Sequence, residues 1–304
     1  MTPLFSVVIP TLNRLALLRR TLETVFAQEH AGAEVIVADD GSTDGTTEYL
    51  ASLAPRVRAV RLDHRGPGAA RNAGAAVASG EYLAFLDSDD LWFPWTLTAF
   101  AEVIARHGRP SYICGRFVQF SDERALADCP SQAVRADLYP DYLSSWPRQL
   151  VIGAGMVVVR RDAFEAVGGF ADDPINLEDH DLSLKLGASK GFVQIQQPVT
   201  MAWRLHGGGV THDLSRSLVG CQLLIDRERA GAYSGGAGRA HVRRGIITTH
   251  ARSVSLECLK SGRIRDAFGV YRSTFGWHLF LGRWKYLIAF PLSAVAAPFR
   301  RREA

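Results

Sequence analysis

Asp87-Ser88-Asp89-Asp90 sets three carboxylates within four positions, directly after the apolar run Tyr82–Leu86. Carboxylates spaced one residue apart on a turn can converge on a hard divalent cation, which takes oxygen ligands. Mn2+ or Mg2+ held by only one or two of them keeps coordination positions for substrate phosphates, and such an ion neutralises a diphosphate leaving group. A second acidic pair, Asp39-Asp40 in ADDGS, follows another β-branched run, Glu34–Ala38. Aspartate after a strand is also a good turn or cap former. A third group, Glu178-Asp179-His180-Asp181, opens a helical pattern, where acids are in any case favoured by the dipole.

The elements that must position these groups alternate in kind. Phe5–Ile9, Glu34–Ala38, Val57–Leu62 and Tyr82–Leu86 read as strands, the first stopped by Pro10. Between them, Leu15–Ala27 has an apolar helical face, Ser42 or Thr43 caps a helix through Leu53, and Ala69–Ala78 follows the loop Gly66-Pro67-Gly68. That order predicts a mostly parallel α/β sheet, in which ligands bind outside the strands' carboxyl ends. Both acidic clusters sit there, with Ala70-Arg71-Asn72 between them. Later, Val151–Val159 reads as a strand, Asp162–Val167 as a short helix before Gly168-Gly169-Phe170, and Leu177–Leu186 as a helix. His180 is expected to be exposed among its polar neighbours. A late strand begins at Phe192–Ile195, and helices follow at Leu214–Ala230 and about Ala240–Lys260.

The chain has 304 residues, 47% hydrophobic and 22% charged, which suits one large domain or one with a smaller appendage. This excludes a disordered or fibrous protein. Cys114, Cys129, Cys221 and Cys258 are scattered without CxxC pairs, so neither a disulfide framework nor a zinc site is expected. No basic leader with a long apolar core opens the chain, and a reduced, cytoplasmic setting is expected. The net charge of +4 averages two unlike parts: residues 1–215 carry −7 and residues 216–304 carry +11.

SVVIPTLNR, EVIVADDGSTDGT, GPGAARNAGAAVASGEYLAFLDSDD, VGGF and LEDHDLSLKL, in that order, resemble the GT-A-fold family 2 inverting glycosyltransferases. The resemblance covers residues 4–211 and implies a GT-A domain at 1–212. Its nucleotide-sugar half would be about 1–110 and its acceptor half about 111–212, with a helical, basic C-terminal region at 213–304. By position it implies that Thr11 and Asp40 face the nucleotide base and that Asp39 shares base and ribose contacts. Arg71, beside Asn72, would bind the donor near its base and phosphates. Asp87 would approach the ribose or sugar, and Asp89 would be the principal ligand of Mn2+ or Mg2+. Such roles suit the groups: a carboxylate accepts an imide N–H, and guanidinium matches phosphate. Glu178-Asp179 matches the pair that supplies the catalytic base, with Asp179 first, Glu178 second and Asp181 third. In Trp203-Arg204-Leu205-His206-Gly207 the resemblance makes Arg204 a phosphate contact and His206 a third metal ligand. Pro10 and Asn13 shape the loop, while Gly153, Gly155 and Met156 line the acceptor side.

The implied reaction moves a sugar from a nucleoside-diphosphate donor, UDP-linked, to a hydroxyl of a lipid-linked or cell-surface glycan acceptor. Another sugar-nucleotide enzyme, such as a nucleotidyltransferase, and a non-catalytic nucleotide-sugar-binding scaffold remain as alternatives. In residues 275–302, Leu287–Phe299 is apolar but shorter than a membrane-spanning helix, is interrupted by Pro291 and Pro298, and is flanked by Trp, Tyr, Lys and Arg. That texture suits a peripheral anchor on the anionic inner face of the cell membrane, with a helix packed on the catalytic domain as the other reading. No nucleic-acid module is present, so nucleic acid is not expected as a partner.

Overall fold

The computed structural model describes residues 2–146, 148, 152–205 and 213–300, with backbone alone for 295–300. These residues divide between two compact units: one spans 1–145, 150–174 and 178–209, the other 146–149, 175–177 and 210–304.

The first unit opens as the alternation predicts. Strand β1 (Phe5–Thr11) is buried along its whole length, the mark of a strand covered on both faces. Helix α1 (Leu15–Phe26) turns Leu18, Leu22 and Val25 inward at helical spacing. Then follow β2 (Glu34–Asp39), α2 (Thr46–Ser52), β3 (Arg58–Arg61), α3 (Pro67–Ala76), β4 (Tyr82–Phe85), β5 (Leu91–Trp92) and α4 (Thr96–Arg106). The remainder is β6 (Tyr112–Cys114), β7 (Phe117–Phe120), β8 (Arg135–Tyr139), β9 (Val157–Arg160), α5 (Arg161–Ala166), α6 (Glu178–Lys185), β10 (Phe192–Gln197) and β11 (Met201–Arg204).

The main sheet runs β3-β2-β1-β4-β9-β6-β10-β8. Strands β3, β2, β1 and β4 are mutually parallel, β10 pairs β6 in parallel, and β9 and β8 run against their neighbours. This is the mostly parallel α/β sheet of the GT-A fold. The main sheet's first four strands are those the sequence marks, and their carboxyl ends carry Thr11, Asp39-Asp40 and the Asp87–Asp90 turn. A second sheet, β5-β11-β7, holds Arg204 at the end of β11.

Two local boundaries differ from expectation. Helix α3 starts at Pro67, because proline at the first helical position gives up an N–H that has no intrahelical partner anyway. Small residues then let α3 lie close on the sheet: a Cβ on Gly74 would stand 2.5 Å from Val8 Cγ1. The run Val151–Val159 is not one strand, since a 3-10 turn at Ala154–Met156 precedes β9.

The second unit is helical: α7 (Leu214–Arg229), α8 (Ala240–Lys260), α9 (Ile264–Phe280) and α10 (Trp284–Arg300). A buried ion pair, Arg243 Nε to Glu228 Oε2 at 2.7 Å, ties α8 to α7. The prolines expected to interrupt the tail do not end α10. Pro291 deprives the Leu287 carbonyl of its helical donor, and the Tyr271 hydroxyl donates to that oxygen at 3.0 Å instead.

Candidate functional site

The turn after β4 is built by its own main chain, the Asp90 amide donating to the Asp87 carbonyl at 3.1 Å. Its three carboxylates have separate fates. Asp89 Oδ2 pairs with Arg14 Nη1 at 2.5 Å. Asp90 is buried, accepts the Arg204 amide on Oδ1 at 2.9 Å, and is pushed well above the usual carboxylate range, first by burial and then by Asp87 and Asp89. Asp87 Oδ1 pairs with Arg71 Nη2 at 2.5 Å.

Arg71 reaches across the site. Its other terminal nitrogen, Nη1, lies 2.9 Å from Glu178 Oε1 at the start of α6. Helix α3 therefore carries a buried guanidinium between two acidic groups some ninety residues apart in sequence. Burial alone would lower its pKa, but Asp87 and Glu178 raise it further, so it stays charged. In this structure Arg71 spends both terminal nitrogens on carboxylates.

The acidic pair at the head of α6 is tuned upward. Burial raises Glu178 to about 7 against the opposing pull of Arg71. Burial also raises Asp179 to about 6, while the His180 amide, donating to its Oδ1 at 2.7 Å, and Arg71 pull the other way. Asp87 adds a repulsive contribution to Asp179, which places the two acidic clusters within electrostatic reach. Asp181 is fully buried and pairs with Lys185 one turn on, at 3.3 Å. His180, expected to be exposed, is largely buried, and burial lowers it to about 4. Leu177, next before Glu178 in the chain, sits at φ 71°, a left-handed conformation leucine seldom adopts.

Motifs around these groups turn out to be braces. Asn72 accepts the Phe170 amide at 2.9 Å and donates to the Phe170 carbonyl at 3.1 Å, fixing the Gly168-Gly169-Phe170 loop to α3. A Cβ on Gly169 would stand 2.5 Å from Asn72 Oδ1, and one on Gly68 would stand 2.1 Å from the Ala171 carbonyl oxygen. The ring of Phe170 in turn lies under the Arg71 guanidinium, 5.2 Å from its centroid. Gly155 packs on Asp87, where an added Cβ would be 3.2 Å from its carboxylate.

The DDGS carboxylates face inward. Asp39 accepts the Ser42 amide, the Thr47 hydroxyl and Arg61 Nη1 at 2.8 to 2.9 Å. Asp40 accepts the amides of Arg65 and Gly66 at 2.7 and 2.8 Å. Both therefore shape the loops around the β1–β2 edge. Thr11 is different: its Oγ1 is buried and has no hydrogen-bond partner among the described residues. A buried hydroxyl left unpaired is a reserved donor and acceptor. Arg204 is pinned to the acidic turn, Nε on the Asp89 carbonyl at 3.0 Å and Nη2 on Glu123 at 2.9 Å. His206 lies outside the described residues. Gly153 precedes the 3-10 turn that contains Gly155 and ends at Met156.

Sequence reasoning passed over Arg14 and Glu123. Arg14 stands one residue beyond Asn13, whose amide donates to Ser42 and whose Oδ1 receives the Thr43 amide. The sequence signal for this bend was Asn13 itself, a residue type that tolerates the left-handed conformation, which it takes at φ 51°.

Among the described residues no group of three or more His, Cys, Asp or Glu is arranged to hold a metal ion. The donor set nevertheless fits a hard cation. Asp87 and Asp89 offer carboxylate oxygens on one turn, both already draw a guanidinium, and their mutual repulsion with Asp90 is what positive charge would relieve.

The sheet order and the acidic turns beyond its parallel strands define a GT-A α/β protein. The chain belongs to glycosyl transferase family 2, whose sequence model matches residues 6–168. Among curated relatives it is 44% identical over 90 residues to the succinoglycan biosynthesis protein ExoO of Rhizobium meliloti, covering 29% of this chain and 26% of that one. The chain spans a third or less of the length of the first curated relatives it matches. Its fold is similar to that of S. aureus TarS 1-349 in complex with UDP-GlcNAc, with a TM-score of 0.70, 16% identity, and coverage of 90% of this chain and 81% of that chain. It is also similar to the mannosyltransferase PcManGT from Pyrobaculum calidifontis in complex with GDP-Man and Mn2+, with a TM-score of 0.54, 18% identity, and coverage of 99% and 87%.

Proposed function

We propose that this chain is an inverting, metal-dependent glycosyltransferase of hexosyl type. It would move a sugar from a UDP-linked donor to a hydroxyl of a lipid-linked or cell-surface glycan acceptor. The observation that carries the reading is the Arg71 bridge, which brings the acidic turn at Asp87 and the acidic pair at Glu178-Asp179 into one electrostatic cluster. Family membership supports the reaction class, and the UDP-GlcNAc in TarS supports the nucleotide.

In this reading Asp179 removes the proton from the acceptor hydroxyl as that oxygen attacks the anomeric carbon. The new C–O bond forms on the face opposite the leaving group. The old one breaks toward the β-phosphate, which keeps the electron pair, so inversion needs no enzyme nucleophile. A pKa of about 6 leaves Asp179 ionised at neutral pH yet more basic than an ordinary aspartate. Glu178, fixed by Arg71, holds the pair in place. Asp89, with Asp87 beside the ribose or sugar, would hold Mn2+ or Mg2+, and His206 would complete the set. Such an ion, when bound, supplies charge neutralisation to the departing diphosphate. Thr11 offers its unpaired hydroxyl to the nucleotide base; Asp39 and Asp40 keep the surrounding loops in position, and Arg204 steadies the acidic turn. ExoO's name supports a glycan acceptor, and the protein would work as a peripheral protein at the inner face of the cell membrane.

The test is a thermal-shift panel of nucleoside diphosphates and nucleotide sugars, with and without Mn2+. Stabilisation by UDP and UDP-sugars, larger with Mn2+ and lost in Asp89→Ala, is expected. Failure of every nucleotide to stabilise the protein would overturn the reading. Donor binding without sugar transfer to any acceptor or to water would favour a scaffold.

A further inference from the structure

Helices α9 and α10 join through a three-residue turn in which Gly282 takes a left-handed φ of 65°. Their facing sides are fully committed. Tyr271 and Phe290 stack at 4.6 Å, Phe268 meets Phe290 edge-on at 5.4 Å, and the Tyr286 hydroxyl bonds Ser255 Oγ at 2.8 Å. A helix so packed ordinarily turns polar residues outward. Here the outward residues are apolar. Phe280 is 71% exposed, Trp284 57%, Ile288 63% and Leu292 66%, with Phe275 and Leu279 each at 43%. Trp284, Ile288 and Leu292 recur every four residues, so they form one stripe along α10. Phe275 and Leu279 form its counterpart on α9.

The charge carried by this part of the chain is mainly positive. From Ile264 to Ala304 the sequence holds seven Lys or Arg against Asp266 and Glu303, and Asp266 pairs with Arg263 at 2.7 Å. Arg272 and Lys285 are exposed beside the apolar residues. No described helix is long and apolar enough to cross a membrane. At 17 residues α10 is about 25 Å long at the helical rise, short of the hydrocarbon thickness. An apolar stripe with an aromatic at the turn and exposed cations beside it matches a bilayer interface bearing anionic headgroups.

We propose that the outer face of the α9–α10 hairpin, formed by Phe275, Leu279, Phe280, Trp284, Ile288 and Leu292, lies in the headgroup layer of an anionic phospholipid membrane. It deepens the peripheral-membrane part of the reading above, and owes nothing to the chemistry proposed for the acidic site. The apolar side chains enter the acyl boundary while Arg272 and Lys285 stay at the phosphates, so the hairpin lies along the surface.

The test is co-sedimentation of the full chain with phosphatidylglycerol-containing vesicles and with phosphatidylcholine vesicles, at low and high salt. Binding to the anionic vesicles that weakens with salt is expected, and the triple variant F280E/I288E/L292E should reduce it by roughly tenfold or more. Thermal stabilisation of that variant by UDP, read without lipid, should match that of the unaltered chain. A conservative variant covers the case of a misfolded triple: quenching of tryptophan fluorescence by brominated lipid should fall in Trp284→Phe. Vesicle binding unchanged in the triple variant, quenching unchanged in Trp284→Phe, or no binding by the unaltered chain would overturn the proposal. So would a dimer in light scattering that the triple variant splits without any vesicle binding, since a second copy would then cover the face. The lipid measurement uses no nucleotide and the nucleotide measurement no lipid, so each can fail alone.

Discussion

In the proposed reading Arg71 holds the site together and Asp179 reacts. Removing the guanidinium in Arg71→Met strands Glu178 and Asp87 beside each other without their counter-charge. The expected loss is about 3–5 kcal/mol in denaturant unfolding, the range for one partner of a buried pair. The same change takes away the attraction that opposes burial at Glu178 and Asp179, so the acid limb of activity should move to higher pH. A second prediction follows from the sign of the Asp179 shift. Its carboxyl is protonated below about 6, so transfer should fall as pH drops through that value. Because the folded pKa lies above the unfolded one, ionisation costs stability above about 6, and the cost vanishes below the unfolded pKa of about 4. Asp179→Asn should therefore be more stable than the parent at pH 8 and no different near pH 4 in thermal melts. At this scale the sequence marked Asp87, Glu178 and Asp179, which the Arg71 bridge gathers into one electrostatic cluster. It could not show that Asp39 and Asp40 would be consumed by loop amides, because hydrogen-bond partners belong to the folded chain.

Among the elements, α3 and the tail helices show what local pattern conveys and what it misses. The strand and helix periods of residues 5–86 are legible because β1, β2 and β4 are short apolar runs bounded by turn residues, while the mostly exposed β3 carries only Ala59 and Val60 between arginines. The Val151–Val159 run carries the same apolar signal, yet Gly153 and Gly155 bend it so that Gly155 fits against Asp87. In α10 the prolines argued for a break, and the carbonyl that Pro291 frees is served by a hydroxyl from α9, which no local pattern in α10 shows. Tyr271→Phe leaves the Leu287 carbonyl without a donor in a buried place, so it should cost about 1–3 kcal/mol in chemical unfolding. An unchanged midpoint would mean that water serves that oxygen equally well. Asn72→Ala removes both bonds to Phe170 and with them the support beneath Arg71, so it should lower turnover while nucleotide binding persists.

For the whole molecule, the opposite charges of the two chain segments take different tasks in the proposed reading. The acidic part gathers its carboxylates at the carboxyl edge of a parallel sheet, and the basic part surrounds an apolar helical face. The central claim is that the cluster joined by Arg71 is a transfer site whose base is Asp179. The most direct measurement is donor consumption by Asp179→Asn, set beside its affinity for the same UDP-sugar with Mn2+. Unchanged affinity with consumption lowered by about 10²–10⁴-fold, the usual worth of a general base, is the predicted result. Consumption by Asp179→Asn at the unaltered rate would contradict it.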